Sequence, residues 1–316
     1  MNGSAEPVIP DGQIPGLSKT VSRLVMGVDN QESFDQASEL FDDFRSRGGN
    51  AFDTAHIYGA GLMERLLGEW VERRGVRDEV VIIGKGGHTP NCKPEAVTAQ
   101  LHESLERLRT DHLDVYLLHR DNPDIPVADF VDVLNEHARA GRITTFGVSN
   151  WSRERFVEAQ EYAASRSLTP FSVLSNHFSL AHALETPWPG SQHVTDSADR
   201  RWLETSNITL LPWSSQARGF FARASRDDVS DAALVRCYHS DDNFERMRRA
   251  TVLADRLGVA PTAVALAYVL SQSFPTFPLI GPRSIEEARQ SYAAVSIELS
   301  RDDVVWLDLR SRRGGA

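Results

Sequence analysis

Four ionisable residues stand where short apolar runs of the sequence end, and together they could form an acid/base site. They are Asp53, Tyr58, Lys85 and His119. An isolated tyrosine has a pKa of about 10, so it exchanges protons poorly at neutral pH. A lysine ammonium would stabilise the phenolate, a carboxylate would keep that lysine charged, and a histidine could orient the reacting oxygen. This chemistry suits a carbonyl that gains a hydride or an alcohol that loses one. The alternative is a structural ion pair beside an uninvolved tyrosine.

Eight short runs are rich in strand-forming residues, and their polarity does not alternate. Continuous apolar runs are typical of parallel strands that are buried on both faces. The predicted strands are Leu24–Gly27, Ala51–Asp53, Val80–Gly84, Leu113–Leu118, Ile143–Val148, Ser172–Asn176, Ile208–Pro212 and Phe277–Gly281. The four ionisable residues lie at or just beyond the ends of the second, third and fourth runs, so their side chains should converge.

Amphipathic stretches between these runs predict helices. One follows Pro94, with apolar residues at Val97, Leu101, Leu105 and Leu108, the spacing of one helix face. Another follows Pro126 and ends at Gly141, with its inward face formed by Phe130, Val131 and Leu134.

Eight strand–helix units without an obvious linker favour one (β/α)8 TIM barrel over residues 21–316. An open doubly wound sheet is the alternative fold. Residues 1–20 are expected to form a poorly ordered N-terminal extension. Long loops follow strands 6 and 7, at residues 182–197 and 217–243. They lie at the end of the barrel where such folds build their sites, although tolerated surface insertions would look the same.

Composition narrows the function further. The formal net charge of -10 argues against a nucleic-acid partner. Only two cysteines are present, Cys92 and Cys237, which favours a reducing compartment. The sequence carries no secretory signal pattern and no long apolar run that could span a membrane, so we expect a cytoplasmic protein. The histidines lack the spacing of a metal site, and no strand is followed by a G-x-G-x-x-G motif.

Six motifs, in order along the chain, resemble those of the aldo-keto reductases. They are FDTAHIYG (52–59), GKGGH (84–88), LHRDNP (118–123), GVSNWS (147–152), LLPWSSQARGFF (210–221) and PLIGPRSIEEA (278–288). The resemblance runs from about Ser22 to Trp306. It implies that Tyr58 is the proton donor, that Lys85 and Asp53 tune it, and that His119 positions the substrate carbonyl.

The resemblance also implies a nicotinamide dinucleotide across the barrel mouth. Ser149 and Asn150 match the pair that holds the carboxamide, and Ser175 stands where a glutamine commonly supports it. Trp213 matches an aromatic residue that stacks on the nicotinamide ring, although packing between barrel and helix would also explain it. The segment from Ser214 to Gly219 would approach the pyrophosphate. With two residues at the end of the first predicted strand, the implied cofactor contacts are Gly27, Val28, Ser149, Asn150, Ser175, Trp213, Ser214, Ser215, Gln216 and Gly219.

The choice of dinucleotide depends on the start of the last helical stretch. Arg283 and Ser284 match the family's binder of the adenosine 2′-phosphate, which favours NADPH. Glu287 and Ser291 depart from the family's usual glutamine and asparagine, and a carboxylate would repel the phosphate. Arg289 could compensate, so NADPH is expected and NADH stays open.

Candidate substrate residues are Asp29, His56, His88 and Trp151. A carboxylate at Asp29 suggests a small polar or sugar-like substrate, but Asp29 could instead cap the following helix. His56 could donate to the substrate, or it could face a helix or be a solvated loop histidine.

We therefore predict an NAD(P)H-dependent oxidoreductase that interconverts a carbonyl and an alcohol. The alternatives are a dinucleotide-binding regulatory subunit with little turnover and, less favoured, a barrel glycoside hydrolase with paired carboxylates. The sequence does not specify the substrate, the physiological direction or the oligomeric state.

Overall fold

The structure is a computed structural model that describes residues 7–311. Its strands form at the short apolar runs of the sequence. The strands are β1 (Asp11–Gly12), β2 (Val21–Ser22), β3 (Val25–Gly27), β4 (Ala51–Asp53), β5 (Val81–Gly86), β6 (Leu113–Leu118), β7 (Ile143–Ser149), β8 (Val173–Ser175), β9 (Thr209–Leu210) and β10 (Leu279–Ile280). Strands β3 to β10 are almost entirely buried, as the apolar runs predict.

Helices connect the strands. They are α1 (Phe34–Ser46), α2 (Leu62–Arg74), α3 (Pro94–Leu108), α4 (Val127–Arg139), α5 (Arg153–Ser165), α6 (Ser197–Thr205), α7 (Phe220–Arg223), α8 (Ala232–Tyr238), α9 (Asp241–Leu257), α10 (Pro261–Leu270), α11 (Ile285–Tyr292) and α12 (Arg301–Leu307). Helix α3 begins at Pro94, and helix α4 begins after Pro126 and ends just before Gly141, as these signals predict. The 217–243 stretch is less irregular than expected, because it contains α7 and α8 and the start of α9.

The eight strands β3 to β10 form one parallel sheet in the order β10-β3-β4-β5-β6-β7-β8-β9. Its two ends meet: the amide of Leu210 donates to the carbonyl of Pro275, and the amide of Phe277 donates to that of Leu210, both at 2.9 Å. The sheet therefore closes, which confirms the (β/α)8 barrel and excludes the open doubly wound sheet. The closing strands are shorter than predicted because prolines at 212, 275 and 278 cannot donate to the ladder.

Two apolar layers hold the barrel together. Side chains that point inward from the strands, such as Val25, Ile83, Val115 and Leu117, form one buried cluster. A larger cluster lies between the outer face of the strands and the surrounding helices. The interior is thus a packed core, and ligands must approach from an end of the barrel.

A hairpin covers the end of the barrel where the strands begin. Strand β1 pairs antiparallel with β2, and between them Ile14 and Leu17 are buried against the inner cluster. Lys19 pairs with the buried Asp114 at 2.9 Å. Residues 1–6 lie outside the described residues, and the expectation of a poorly ordered extension does not describe residues 7–20.

No single helix among the described residues is long and apolar enough to cross a membrane. Helices α9 and α10 meet that test only as a pair, which is bent by 101° at its break.

Candidate active site

Asp53 and Lys85 form a buried ion pair at the carboxyl ends of β4 and β5. Lys85 Nζ lies 2.5 Å from Oδ2 of Asp53 and donates to the carbonyl of Thr54 at 3.1 Å. Both side chains are only 3% exposed, so each charge depends on the other. Burial acts to lower the pKa of Lys85, but the Asp53 carboxylate raises it overall, so the ammonium stays charged. Burial raises the pKa of Asp53, and Lys85 opposes that rise.

Tyr58 begins a 3-10 turn, Tyr58–Gly61, in the loop after β4. Lys85 Nζ lies 5.3 Å from the centre of the Tyr58 ring. Burial raises the pKa of the phenol, and the Lys85 ammonium is the main influence that opposes the rise. No residue within 7–311 forms a hydrogen bond with the Tyr58 hydroxyl. This hydroxyl is therefore available to a bound molecule.

His119 follows β6, and its ring meets that of Tyr58 edge to face, with centroids 5.7 Å apart. Its Nδ1 is buried and has no partner among the described residues. Burial, then the charge of Lys85, then that of Arg120 hold the pKa of His119 well below its ordinary value. The imidazole is therefore neutral at neutral pH and can donate one N–H bond to a substrate oxygen.

The structure thus brings Asp53, Tyr58, Lys85 and His119 together at one end of the barrel. A partly exposed phenol lies near both a charged ammonium and a neutral imidazole. Such a group can give a proton to a carbonyl oxygen or take one from an alcohol.

Ser149 and Asn150 lie deep in the mouth at the end of β7. Gly147 precedes them because a Cβ there would collide with the carbonyl of Val173. The Ser149 hydroxyl donates to the Ser175 carbonyl at 2.8 Å, and Asn150 Nδ2 donates to the Ser149 hydroxyl at 2.9 Å. Ser175 Oγ is buried with no partner among the described residues. The amide and hydroxyl groups expected to hold a carboxamide are therefore neighbours, but they are already bonded to each other.

Trp213 is half-buried in the segment that follows β9 and forms part of an aromatic group. Its ring lies 5.1 Å from the His177 ring and 5.4 Å from the ring of Trp188. The Arg218 guanidinium lies over the Trp188 ring, 5.1 Å from its centre. Loops 182–197 and 217–243 therefore meet beside the expected stacking residue.

The segment after Trp213 has an unusual backbone. Ser214, Ala217, Arg218 and Gly219 all adopt positive φ, and the Ser215 hydroxyl donates to the carbonyl of Leu279 at 2.6 Å. The backbone amides of Ser215 and Gln216 have no partner among residues 7–311. Left-handed residues and unpaired amides in succession make a concave anion site, so this segment fits a pyrophosphate.

Arg283 and Ser284 precede α11 as expected. Ser284 caps the helix by accepting from the amide of Glu287 at 3.3 Å. The carboxylate of Glu287 in turn accepts from the amide of Arg283 at 2.8 Å. This carboxylate therefore occupies part of the anion site that the sequence predicts at the helix start. Arg289 does not compensate for it, because its guanidinium pairs with Asp43 at 3.1 Å.

Gly27 and Val28 lie at the end of β3 and are buried beneath the mouth. The Val28 amide donates to the Asp53 carbonyl at 2.7 Å. A Cβ at Gly27 would lie 3.0 Å from the carbonyl of Ile280. In this structure both residues fix the backbone beside the Asp53 carboxylate.

Two of the four candidate substrate residues face the mouth. Asp29 does not cap α1, since Ser33 holds that position. Desolvation by the surrounding protein raises the pKa of the Asp29 carboxyl, while Lys85 and then Arg283 oppose the rise. His88 lies against His119, with ring centroids 4.9 Å apart.

The other two candidates do not face the mouth. His56 contacts Glu103 on α3, with Nε2 2.8 Å from Oε2, so the helix-facing alternative describes it. Trp151 is fully buried among Phe130 and Phe171, where it packs the barrel against its helices. It is a core residue and not a substrate contact.

Sequence reasoning missed two residues of the mouth. Arg120 directly follows His119 and is 8% exposed, and Trp188 covers Trp213 from the 182–197 loop. The quoted motif LHRDNP contains the first, but only the fold reveals which groups surround it. Within the described part of the chain no cluster of three or more His, Cys, Asp or Glu could hold a metal ion.

Comparison with known proteins agrees with the geometry. The sequence profile of the aldo/keto reductase family matches residues 24–308. A norsolorinic acid reductase of Emericella nidulans is 28% identical over 85% of this chain and 70% of its own. A putative aryl-alcohol dehydrogenase of Saccharomyces cerevisiae is 28% identical over 96% of this chain and 88% of its own.

A solved structure has the same fold. It is a thermostable aldo-keto reductase in complex with the inhibitor epalrestat, and it matches with a TM-score of 0.74. The match covers 96% of this chain and 100% of that one, at 21% identity.

Proposed function

The chain belongs to the aldo-keto reductase family, and we propose that it interconverts a carbonyl and an alcohol on a small, polar or sugar-like substrate. The observation that carries the proposal is the Tyr58 hydroxyl. It has no protein partner among the described residues, and it is carried by a ring that lies near both the Lys85 ammonium and the His119 ring.

Tyr58 is the acid/base residue. In carbonyl reduction its phenol gives a proton to the substrate oxygen, and in alcohol oxidation its phenolate takes the proton back. Lys85 stabilises the phenolate, and Asp53 keeps Lys85 charged and in place. His119 is neutral and holds the substrate oxygen by a hydrogen bond.

A bound nicotinamide dinucleotide would supply or accept the hydride. The residues present fit such a molecule: Trp213 offers a half-buried ring, and the unpaired amides of Ser215 and Gln216 suit a pyrophosphate. Ser149, Asn150 and Ser175 would hold the carboxamide after exchanging part of their present hydrogen bonds.

We propose NADPH as the preferred dinucleotide. Arg283 supplies a guanidinium that forms no ion pair within residues 7–311, beside the start of α11. NADH is the second candidate, because the Glu287 carboxylate at that helix start would repel a 2′-phosphate and could accept from ribose hydroxyls.

Polar side chains around the mouth support a polar substrate. Asp29 follows β3 and His88 follows β5, and both can hydrogen-bond to hydroxyl groups. Relatives named for aryl alcohols and norsolorinic acid add aromatic carbonyls to the compounds worth testing. We further propose that the protein acts in the cytoplasm.

A glycoside hydrolase fits the site less well. That mechanism needs two carboxyl groups flanking the bond to be cleaved, whereas Asp53 is bound to Lys85. A regulatory subunit would bind the dinucleotide with little turnover, so only a rate measurement separates it from the enzyme.

The test is a titration of the purified protein with NADPH and NADH, followed by tryptophan fluorescence. A panel of sugar-like and aromatic carbonyls is then assayed by the absorbance of the reduced dinucleotide. We expect saturable binding and substrate-dependent oxidation of the dinucleotide. Binding without turnover across the panel would favour the regulatory subunit, and no binding would reject the proposal.

A further inference from the structure

Arg120 is a buried cation at the candidate active site. It directly follows His119 and is 8% exposed, and within residues 7–311 its side chain forms one hydrogen bond, from Nη1 to the His119 carbonyl at 3.0 Å. None of the described carboxylates forms an ion pair with its guanidinium. A guanidinium has five N–H donors, so most of its bonding capacity is unused by the protein.

The neighbouring carboxylates are committed elsewhere. Asp121 accepts from Arg155 at 3.2 Å, and Asp53 is bound to Lys85. Asp29 follows β3, three strands away from β6 in the barrel order. Since His119 and its neighbour His88 bring no negative charge, this side of the mouth carries an uncompensated positive charge. A buried charge without an ion-pair partner costs free energy unless a group of opposite charge binds to it.

The charge of Arg120 affects the pKa values of His119 and Tyr58. After burial and Lys85, it is the next influence that depresses the pKa of His119. It also opposes the rise in the pKa of Tyr58, although less than Lys85 does. The aliphatic part of its side chain lies under the 182–197 loop, where a Cβ at Gly190 would be 4.0 Å from Arg120 Cδ.

We propose that Arg120 binds a carboxylate on the substrate while the carbonyl lies at Tyr58 and His119. The planar fork of a guanidinium matches a carboxylate with two parallel hydrogen bonds. This inference rests on the proposed function and narrows its substrate to carbonyl compounds that carry an acidic group.

The test compares carbonyl substrates that differ only in charge. Meta- and para-carboxybenzaldehyde are assayed beside their methyl esters with saturating NADPH, using wild type, Arg120→Gln and Arg120→Lys. We expect wild type to favour the better carboxylate isomer over its ester in kcat/KM by roughly 10- to 100-fold, the range of one charge-assisted interaction. In Arg120→Gln this ratio should fall towards one, and Arg120→Lys should keep part of it.

A second readout does not depend on turnover. Calorimetry measures the binding of benzoate and of benzamide to the NADPH-bound wild type and Arg120→Gln proteins, after circular dichroism and NADPH affinity have shown that the variant is folded. We expect Arg120→Gln to lose affinity for benzoate and not for benzamide.

The outcomes separate the two proposals. The carboxylate site would be overturned if the acid-to-ester ratio of kcat/KM were equal in wild type and Arg120→Gln. It would also be overturned if kcat/KM fell equally for acid and ester, which would mean that Arg120 only supports the His119 backbone. Absence of all carbonyl reduction would instead count against the proposed function, while the benzoate measurement would still decide the role of Arg120.

Discussion

At the scale of single residues, the phenol of Tyr58 is subject to two opposing influences. Burial raises its pKa, and the Lys85 ammonium acts against that rise. The negative charges of Asp53 and Asp29 also act to raise it, so Lys85 is the main group that makes the phenolate accessible. Alcohol oxidation, which needs the phenolate as a base, should depend on this lysine more than carbonyl reduction does.

Lys85→Met should shift alcohol oxidation to higher pH. Removing the ammonium raises the pKa of Tyr58 further, so a higher pH is needed to form the phenolate, and the rate near neutral pH should fall steeply. The measurement is a pH–rate profile with saturating dinucleotide. The variant also leaves the Asp53 carboxyl without its partner, a loss of about 3–5 kcal/mol in stability for a buried pair, so its folding must be checked at each pH.

His119→Ala is the matched control for that profile. It removes the proposed hydrogen bond to the substrate oxygen and leaves Lys85 in place, so kcat/KM should fall while the pH profile moves less. An unshifted profile and a near-normal rate for folded Lys85→Met would show that this lysine does not tune Tyr58.

The sequence predicted the convergence of Asp53, Lys85 and His119 because all three lie at strand ends, whose positions follow from the apolar runs. It did not predict which way a loop side chain turns. His56 is two residues from Tyr58 yet contacts α3, and Trp151 is next to Asn150 yet lies in the core. Arg120 lacks an ion pair within the described residues because the nearby carboxylates bind other residues that are distant in the sequence. Only the fold reveals this.

At the scale of elements, the start of α11 combines features that oppose each other. Its helix dipole and Arg283 favour an anion, while Glu287 brings a carboxylate to the same place. We therefore propose that the preference between NADPH and NADH depends on the balance between two side chains four residues apart, Arg283 and Glu287.

Arg283→Ala should weaken NADPH binding more than NADH binding, by roughly 1–3 kcal/mol for a lost contact with the 2′-phosphate. Glu287→Gln, which keeps the shape and removes the charge, should change the ratio of the two affinities in the opposite direction. Fluorescence titrations of both variants with both dinucleotides measure this. Equal losses for the two dinucleotides in Arg283→Ala would mean that Arg283 contacts a group they share.

The hairpin beneath the barrel should contribute to stability. Ile14 is fully buried against the inner cluster, so Ile14→Ala should lower the free energy of unfolding by about 2–5 kcal/mol. Val8→Ala is the control, because Val8 is 72% exposed and should change it by less than about 0.5 kcal/mol. Urea unfolding curves provide the comparison. Equal curves for the two variants would show that the hairpin does not stabilise the barrel.

Most elements follow from local signals, and the exceptions have physical causes. Pro94 and Gly141 mark helix ends that the structure places as expected. The last two barrel strands are shorter than their apolar runs because of their prolines. The packing of Ile14 could not be predicted, since a short segment rich in proline and glycine has no periodicity that reveals which surface it covers.

At the scale of the whole molecule, the hairpin and the candidate active site lie at opposite ends of the barrel. The hairpin covers the end where strands begin, and the four ionisable residues lie at the other end. The strand–helix alternation predicted this arrangement. The contact between Trp188 and Trp213 was not predictable, because it joins two loops that follow different strands.

The central claim is that Tyr58 transfers the proton, and Tyr58→Phe tests it most directly. The substitution removes one hydroxyl and keeps the ring that packs near Lys85 and His119. Turnover of the best carbonyl from the panel is measured for wild type and variant at saturating dinucleotide, with dinucleotide affinity measured on the same samples. We predict that carbonyl reduction is lost, by at least the ~10²-fold that general acid catalysis supplies, while dinucleotide affinity is nearly unchanged. A variant that binds the dinucleotide normally and keeps most of the wild-type kcat would contradict the account.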